Sequence, residues 1–325
     1  MENKMHNKIK MMIPYLCTVL LVMLMTLFSE VLNEKEIIFP EITALAVGYM
    51  VAKKRSWKVN GKRMLSLITV CAILGVGIVR YLNAPILVEV VVAYSFAQVL
   101  FMYSGTTFAP FVSAIVLPVM MQTESIIYPI SAFALTLLII IFHNVFIFLG
   151  IREDEDYIPV KLNLEEDKLD AAIRILCVTL MASVAFMSGF RFIIAPPLLV
   201  AFTEFSRPRN KTRNKPVKVV FVITICAFVG VITRYIVVIK LLLPLTIAAV
   251  IATSIMLIIL NKTEMYMPPV GAITMLSMII KKEILFTYPI QIFVGSVVIM
   301  VMSRNLFMKR QDRGKYETEH ELKAG

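Results

Sequence analysis

The chain repeats itself, and what it repeats is apolar. The run Thr69-Val70-Cys71-Ala72-Ile73-Leu74-Gly75 returns as Thr224-Ile225-Cys226-Ala227-Phe228-Val229-Gly230, and each copy runs on to an Arg-Tyr pair, Arg80-Tyr81 and Arg234-Tyr235. The stretch around Ala109-Pro110 returns around Pro268-Pro269. Glu124 and Tyr128-Pro129-Ile130 return as Glu283 and Tyr288-Pro289-Ile290, and Cys17 has a counterpart in Cys177. Self-similarity on this scale restricts the fold to two copies of one unit. Long apolar runs place that unit in a membrane, where sites in duplicated folds lie between the copies.

Composition agrees. Of 325 residues 59% are hydrophobic and 17% charged, and the charges are confined to a few loops. Soluble domains carry about a quarter charged residues. The net charge of +11 comes largely from two clusters, six basic residues between Lys53 and Arg63 and six between Arg207 and Lys218, each flanked by apolar segments. Cytoplasmic anchoring accounts for such clusters better than nucleic-acid binding does. The four cysteines lie in apolar stretches with no metal-ligand spacing, so neither a metal nor a cofactor is implied. Lys4, Lys8 and Lys10 precede an apolar run with no small-residue cleavage site, which reads as a retained first span.

Each copy divides into six segments: Met11–Phe28, Pro40–Ala52, Met64–Leu82, Pro85–Tyr103, Pro110–Met121 and Ile126–Leu149, then Leu169–Gly189, Pro196–Phe205, Val217–Val238, Leu241–Leu260, Pro269–Ile280 and Leu285–Phe307. Four per copy are long enough for about 30 Å of hydrocarbon at about 1.5 Å per residue; the second and fifth are not. Those short segments begin with proline, which suits a first helical turn. They are either half-helices continued by extended chain or kinked, tilted crossings.

The expected architecture is an all-α polytopic membrane protein of two parallel six-segment repeats, each with two short, re-entrant helices. Residues 1–150 form repeat 1, 151–168 an acidic cytoplasmic linker, 169–308 repeat 2, and 309–325 a charged tail. Basic residues at the N-terminus, after both second segments and in the tail put both termini in the cytoplasm. Each copy then crosses an even number of times, and the repeats are parallel. A bacterial cytoplasmic membrane is the expected location.

If the short segments are half-helices, the N-termini of the second and fifth approach one another near the midplane. Free backbone N–H groups and a partial charge of about +0.5 there suit an anion. The candidate binding residues are therefore Pro40 and Glu41, Thr106, Thr107, Pro110 and Ser113, Pro196 and Pro197, and Pro268, Pro269, Gly271 and Thr274. Glu89, inside a span, is a further candidate, the alternative being an ion pair with Arg80 or Lys240. Arg80 and Arg234 read as snorkelling ends of spans, and His143 as a satisfied interfacial residue.

The segment Met267-Pro268-Pro269-Val270-Gly271-Ala272-Ile273-Thr274 resembles the signature of the HPP family of bacterial and plastid membrane proteins, His-Pro-Pro followed by Ala-Gly-Ala-Thr. Proline-led short helices at Pro40 and Pro196-Pro197, the loop Arg207-Pro208-Arg209-Asn210, and spans containing Gly75 and Gly230 add to the likeness. Met267 replaces the histidine, and Phe108-Ala109-Pro110 keeps one proline. The family is similar to proposed anion transporters of plastids, so the resemblance implies transport.

No HExxH, GxSxG, Walker A or suitably placed GxGxxG motif is present, and no enzyme activity is expected. The expected function is a permease for a small solute, an anion above others, bound between the repeats. A lipid-handling protein or enzyme acting on headgroups, and a non-transporting partner subunit, are the alternatives. The expected partners are the lipid bilayer and a small-molecule or ion substrate, with a homo-oligomer left open.

Overall fold

The computed structural model describes residues 2–207, 210 and 212–308; Pro208, Arg209, Lys211 and the tail expected at 309–325 lie outside the described residues. Among those residues every regular element is helical. The α-helices are α1 (Glu2–Val31), α2 (Glu41–Ala46), α3 (Gly61–Tyr81), α4 (Ile86–Tyr103), α5 (Phe111–Met121), α6 (Ile127–Phe148), α7 (Leu164–Met187), α8 (Pro196–Phe205), α9 (Pro216–Arg234), α10 (Leu245–Thr263), α11 (Pro268–Leu276) and α12 (Tyr288–Met302). Wider π-type turns extend α2 over Val47–Val51, α9 over Tyr235–Lys240 and α12 over Ser303–Met308.

The eight helices other than α2, α5, α8 and α11 are long and apolar enough to cross a membrane. Their outer faces expose large apolar side chains such as Leu16, Phe96, Phe133, Leu176, Phe221 and Phe293. In water such a surface would be a liability; facing lipid it is the expected state. This is a multi-pass membrane protein.

Local chemistry sets the helix ends. Proline occupies the first turn of α8, α9, α11 and α12, where its missing N–H costs nothing. The Asn60 side chain caps α3 by accepting from Arg63 N–H at 2.9 Å. Glu30, at the end of α1, caps α10 instead, accepting from Leu245 N at 2.5 Å and Thr246 N at 3.1 Å, where a carboxylate opposes the helix dipole. The helix α7 starts at Leu164, inside the stretch expected as linker, because Asn163 N–H and the Asp167 carboxylate close its first turn at 2.8 Å.

The four short helices form the centre. α5 packs on α8, α8 on α11, and α11 on α2, while α3 and α4 flank α5, and α9 and α10 flank α11. Every residue of α2, α8 and α11 is buried. Small residues make this density possible. A Cβ on Gly75 would lie 2.5 Å from Ile115 O, and one on Gly230 would lie 2.6 Å from Thr274 O, so α3 and α9 run backbone-close to α5 and α11. Two tyrosines tie the same layer: Tyr128 donates to Ala114 O at 3.1 Å, and Tyr288 to Ile273 O at 2.8 Å.

Candidate functional site

The proline-led helix starts are packed, and they meet differently from the sequence expectation. Within the first half the tips do approach: Ser113 Oγ, in the first turn of α5, donates to Glu41 Oε1 at the start of α2. Between the halves they pass side by side. Pro268, at the start of α11, lies against Gly48 beyond the end of α2, and a Cβ on Gly271 would fall 2.9 Å from Thr43 C and 3.0 Å from Ala44 N. α2 and α11 are thus antiparallel neighbours in backbone contact. Pro40, Pro110, Pro196, Pro197 and Pro269 are buried in the same layer. Thr274 spends its hydroxyl on Val270 O at 3.0 Å.

The other ionisable candidates lie apart from this seam. Glu89 Oε2 accepts from Gln122 Nε2 at 2.8 Å, and no ion pair joins it to Arg80 or Lys240. Gln122 reaches it because it ends α5 in a left-handed turn with φ of 54°. Arg80 and Arg234, at the ends of their spans, bond to backbone carbonyls. Arg80 Nε donates to Glu124 O at 2.6 Å, and Arg234 Nη1 to Ser277 O at 2.6 Å and Ile280 O at 2.7 Å, closing the chain beyond α5 and α11. His143, expected to be satisfied, is buried beside the Tyr49 backbone, and neither ring nitrogen makes a well-directed hydrogen bond among the described residues.

Thr106 and Thr107 lead elsewhere. They border a cavity of about 420 Å³ at the ends of α4 and α8, beneath the start of α7, together with Lys58, Gln98, Lys161, Arg174 and Arg207. Its polar wall is a chain of directed bonds. Thr203 gives its hydroxyl hydrogen to Leu199 O at 2.9 Å, so its oxygen accepts from Tyr94 at 3.1 Å and Gln98 Nε2 at 3.0 Å. That turns Gln98 Oε1 toward Arg174 Nη1, 3.5 Å away, while Arg174 Nε donates to Ser206 Oγ at 2.6 Å. Asp170 lies 3.9 Å from the same guanidinium.

Arg207 completes the wall. It donates to Thr107 O at 3.0 Å, and the guanidinium groups of Arg174 and Arg207 each lie 6.0 Å from the Phe101 ring centre. Burial, and the neighbouring Arg174 charge, pull Arg207 down to about 10, while Glu204 opposes the shift; the group is still protonated at neutral pH. On the outer side Glu166 and Asp167 border the cavity, with Asp167 engaged in capping α7.

The linker straps this region. Tyr157 Oη donates to Gly105 O at 2.7 Å and receives Arg63 Nη1 at 3.0 Å, while Val160 N donates to Gly105 O at 2.8 Å. Arg55 pairs with Asp154 at 3.4 Å and Glu155 at 3.8 Å. A second cavity, of about 340 Å³, continues from the first through Lys58, Thr107 and Arg207 toward Arg55 and Tyr157. Sequence reasoning missed Gln98, Arg174 and Thr203. An arginine and a glutamine inside apolar spans were the signals available.

Residues 167–317 match the family described as HPP, transmembrane region. The match covers just under half of the chain. No curated protein matches the chain, and no solved structure does. The matched region runs from the first turn of α7 through α12, and so supplies Arg174 and Arg207 to the cavity and Thr203 behind Gln98, while Gln98, Thr106 and Thr107 come from the part outside the match. The HPP-like run Met267 to Thr274 forms the start of α11, where Gly271 makes the close seam with α2.

Proposed function

We propose that this HPP-region protein is a permease for a small anion, built of two parallel repeats whose short helices are half-helices, with the basic loops and both termini in the cytoplasm. The reading is carried by one observation: Arg174 and Arg207 border a partly open cavity formed jointly by the two halves. An anion leaving water there exchanges its hydration for guanidinium N–H groups and the Thr106 and Thr107 hydroxyls. The buried starts of α2, α5, α8 and α11, with Pro40, Glu41, Pro110, Ser113, Pro196, Pro197, Pro268, Pro269, Gly271 and Thr274, form the seam over which the repeats shift to pass the ion inward.

The duplication itself supports a single entry. Cys17 pairs with Cys177 in the repeat, which sets Pro14 opposite Arg174; Pro85 and Pro244 set Leu257 opposite Gln98. The related junction of α1 with α10 therefore lacks the arginine and the amide, and the groove there is mostly apolar, lined by Met12, Leu16, Val19 and Leu257 among others. One of two equivalent junctions has kept a charged lining.

The test is thermal unfolding of purified protein against small inorganic and organic anions, followed by uptake into proteoliposomes. Arg207→Gln is expected to reduce the anion-induced shift and the uptake together. Stabilisation by neutral or cationic solutes but not by anions would overturn the reading. Binding without uptake would favour a partner subunit, and modification of lipid headgroups an enzyme.

A further inference from the structure

A separate cavity, of about 540 Å³, lies at the end of α6 against the loop after α2 and the first residues of the linker. Nine buried side-chain nitrogen or oxygen atoms among the described residues lack a hydrogen-bond partner, and four of them belong to three residues bordering this cavity: His143 Nδ1 and Nε2, Arg152 Nε and Arg55 Nε. Buried polar groups are normally satisfied, so such a concentration marks a place where a partner belongs. His143 is held there by a tilted ring contact with Tyr49, with ring centres 4.3 Å apart. Arg152 is held by Met50 O and by Lys53 O at 3.3 Å. Arg55 is pinned by Asp154 and Glu155, its Nε 3.8 Å from Glu155 Oε2.

The surrounding charge is positive. Lys53, Lys54, Arg55 and Arg152 border the cavity against Glu153 and Glu155, and among the described residues no ion pair engages Lys53, Lys54 or Arg152. The donors come from three elements: the loop after α2, α6 and the linker. A carboxylate is planar and suits the fork of a single guanidinium, whereas a tetrahedral phosphate accepts from several directions at once. The volume exceeds that of a bare ion and lies within the range of small-molecule sites.

We propose that this cavity binds a phosphate ester, at a site distinct from the one bordered by Arg174 and Arg207. The same chemistry is offered by an anionic phospholipid headgroup and by a soluble phosphate ester. A basic pocket at the end of an apolar span is open to both. The proposal rests on no part of the transport reading, because its readout is binding at residues that the first cavity does not include.

The full chain, purified in detergent, is titrated with short-chain phosphatidic acid, glycerol 3-phosphate and a diacylglycerol of equal chain length, by native mass spectrometry and thermal unfolding. His143→Phe keeps an aromatic ring against Tyr49 and removes both nitrogens. Lys54→Gln removes an exposed rim charge without touching the core. Phosphatidic acid is expected to bind and the diacylglycerol not to, with His143→Phe weakening binding about tenfold and Lys54→Gln weakening it less. If glycerol 3-phosphate also binds, the ligand is a soluble ester; if it does not, the ligand is a lipid headgroup. The proposal is overturned if no phosphate ester binds, if the diacylglycerol binds equally well, or if Lys54→Gln leaves affinity unchanged. That last variant decides the matter should His143→Phe fail to fold.

Discussion

The indole N–H of Trp57 donates to Glu204 Oε1 at 2.6 Å, across 147 residues of chain. Both side chains are buried, and the Trp57 ring also meets Phe108 edge-on at 5.2 Å. The bond joins the loop after α2 to the last turn of α8, and so couples the two halves beside the Arg207 cavity. Trp57→Phe leaves the Glu204 oxygen without its donor, at a cost of about 1–3 kcal/mol. Glu204→Gln keeps an acceptor in place and should cost less. Thermal unfolding of both variants measures the difference, and equal stability of Trp57→Phe and the parent would contradict it.

Thr203 accepts from Tyr94 and Gln98 together, so Thr203→Val strands two buried donors at once. The change preserves shape, and the expected loss is again about 1–3 kcal/mol, with weaker anion stabilisation because Gln98 no longer orients Arg174. Thr253→Val, in α10 at the position that repeats Tyr94, removes a hydroxyl whose contact is the Met275 sulfur at 3.6 Å. It should be milder. Equal losses in the two variants would argue against an ordered chain at Thr203.

Gly271→Ala drives a Cβ into the α2 backbone at 2.9 to 3.0 Å, which main-chain atoms cannot avoid by a side-chain rotation. A loss of about 1–3 kcal/mol is expected from overpacking. Gly77→Ala meets nothing within 4 Å and should be neutral or slightly stabilising, since alanine is the better helix former. Expression level and unfolding temperature of this pair separate close packing from a general intolerance of α-helical glycine changes.

Tyr157→Phe removes the hydroxyl that joins Arg63 to Gly105 O and leaves the ring stacked on the Arg63 guanidinium, 5.2 Å from its centre. The linker should loosen without loss of global stability. Faster amide exchange across residues 151–163, with unchanged exchange in α3 and α4, is the expected pattern.

Much of the helical layout was legible because transfer from water to hydrocarbon is set residue by residue. The starts at Pro196, the short run from Pro110 to Met121 and the long spans between the charged loops fall where apolar length and proline position put them. The candidate site was legible only in fragments. Thr106 and Thr107 stand out because they precede a short helix, whereas Glu89, a binding candidate with an ion pair as the alternative, meets Gln122, whose left-handed turn no local pattern announced. Arg174 went unremarked because it lies in a helix whose other residues read as an ordinary span.

The sequence by itself determined an all-helical membrane protein, its long and short helices, and an internal likeness between its halves, since these follow from hydrophobicity, proline chemistry and repetition along the chain. Only the tertiary structure decided that α2 and α11 lie backbone to backbone, and that Gln98, Thr203 and Arg174, from three helices, form one wall. Those pairings depend on which helix faces meet and how closely, and interhelical geometry is a property of packing that no single stretch of residues encodes.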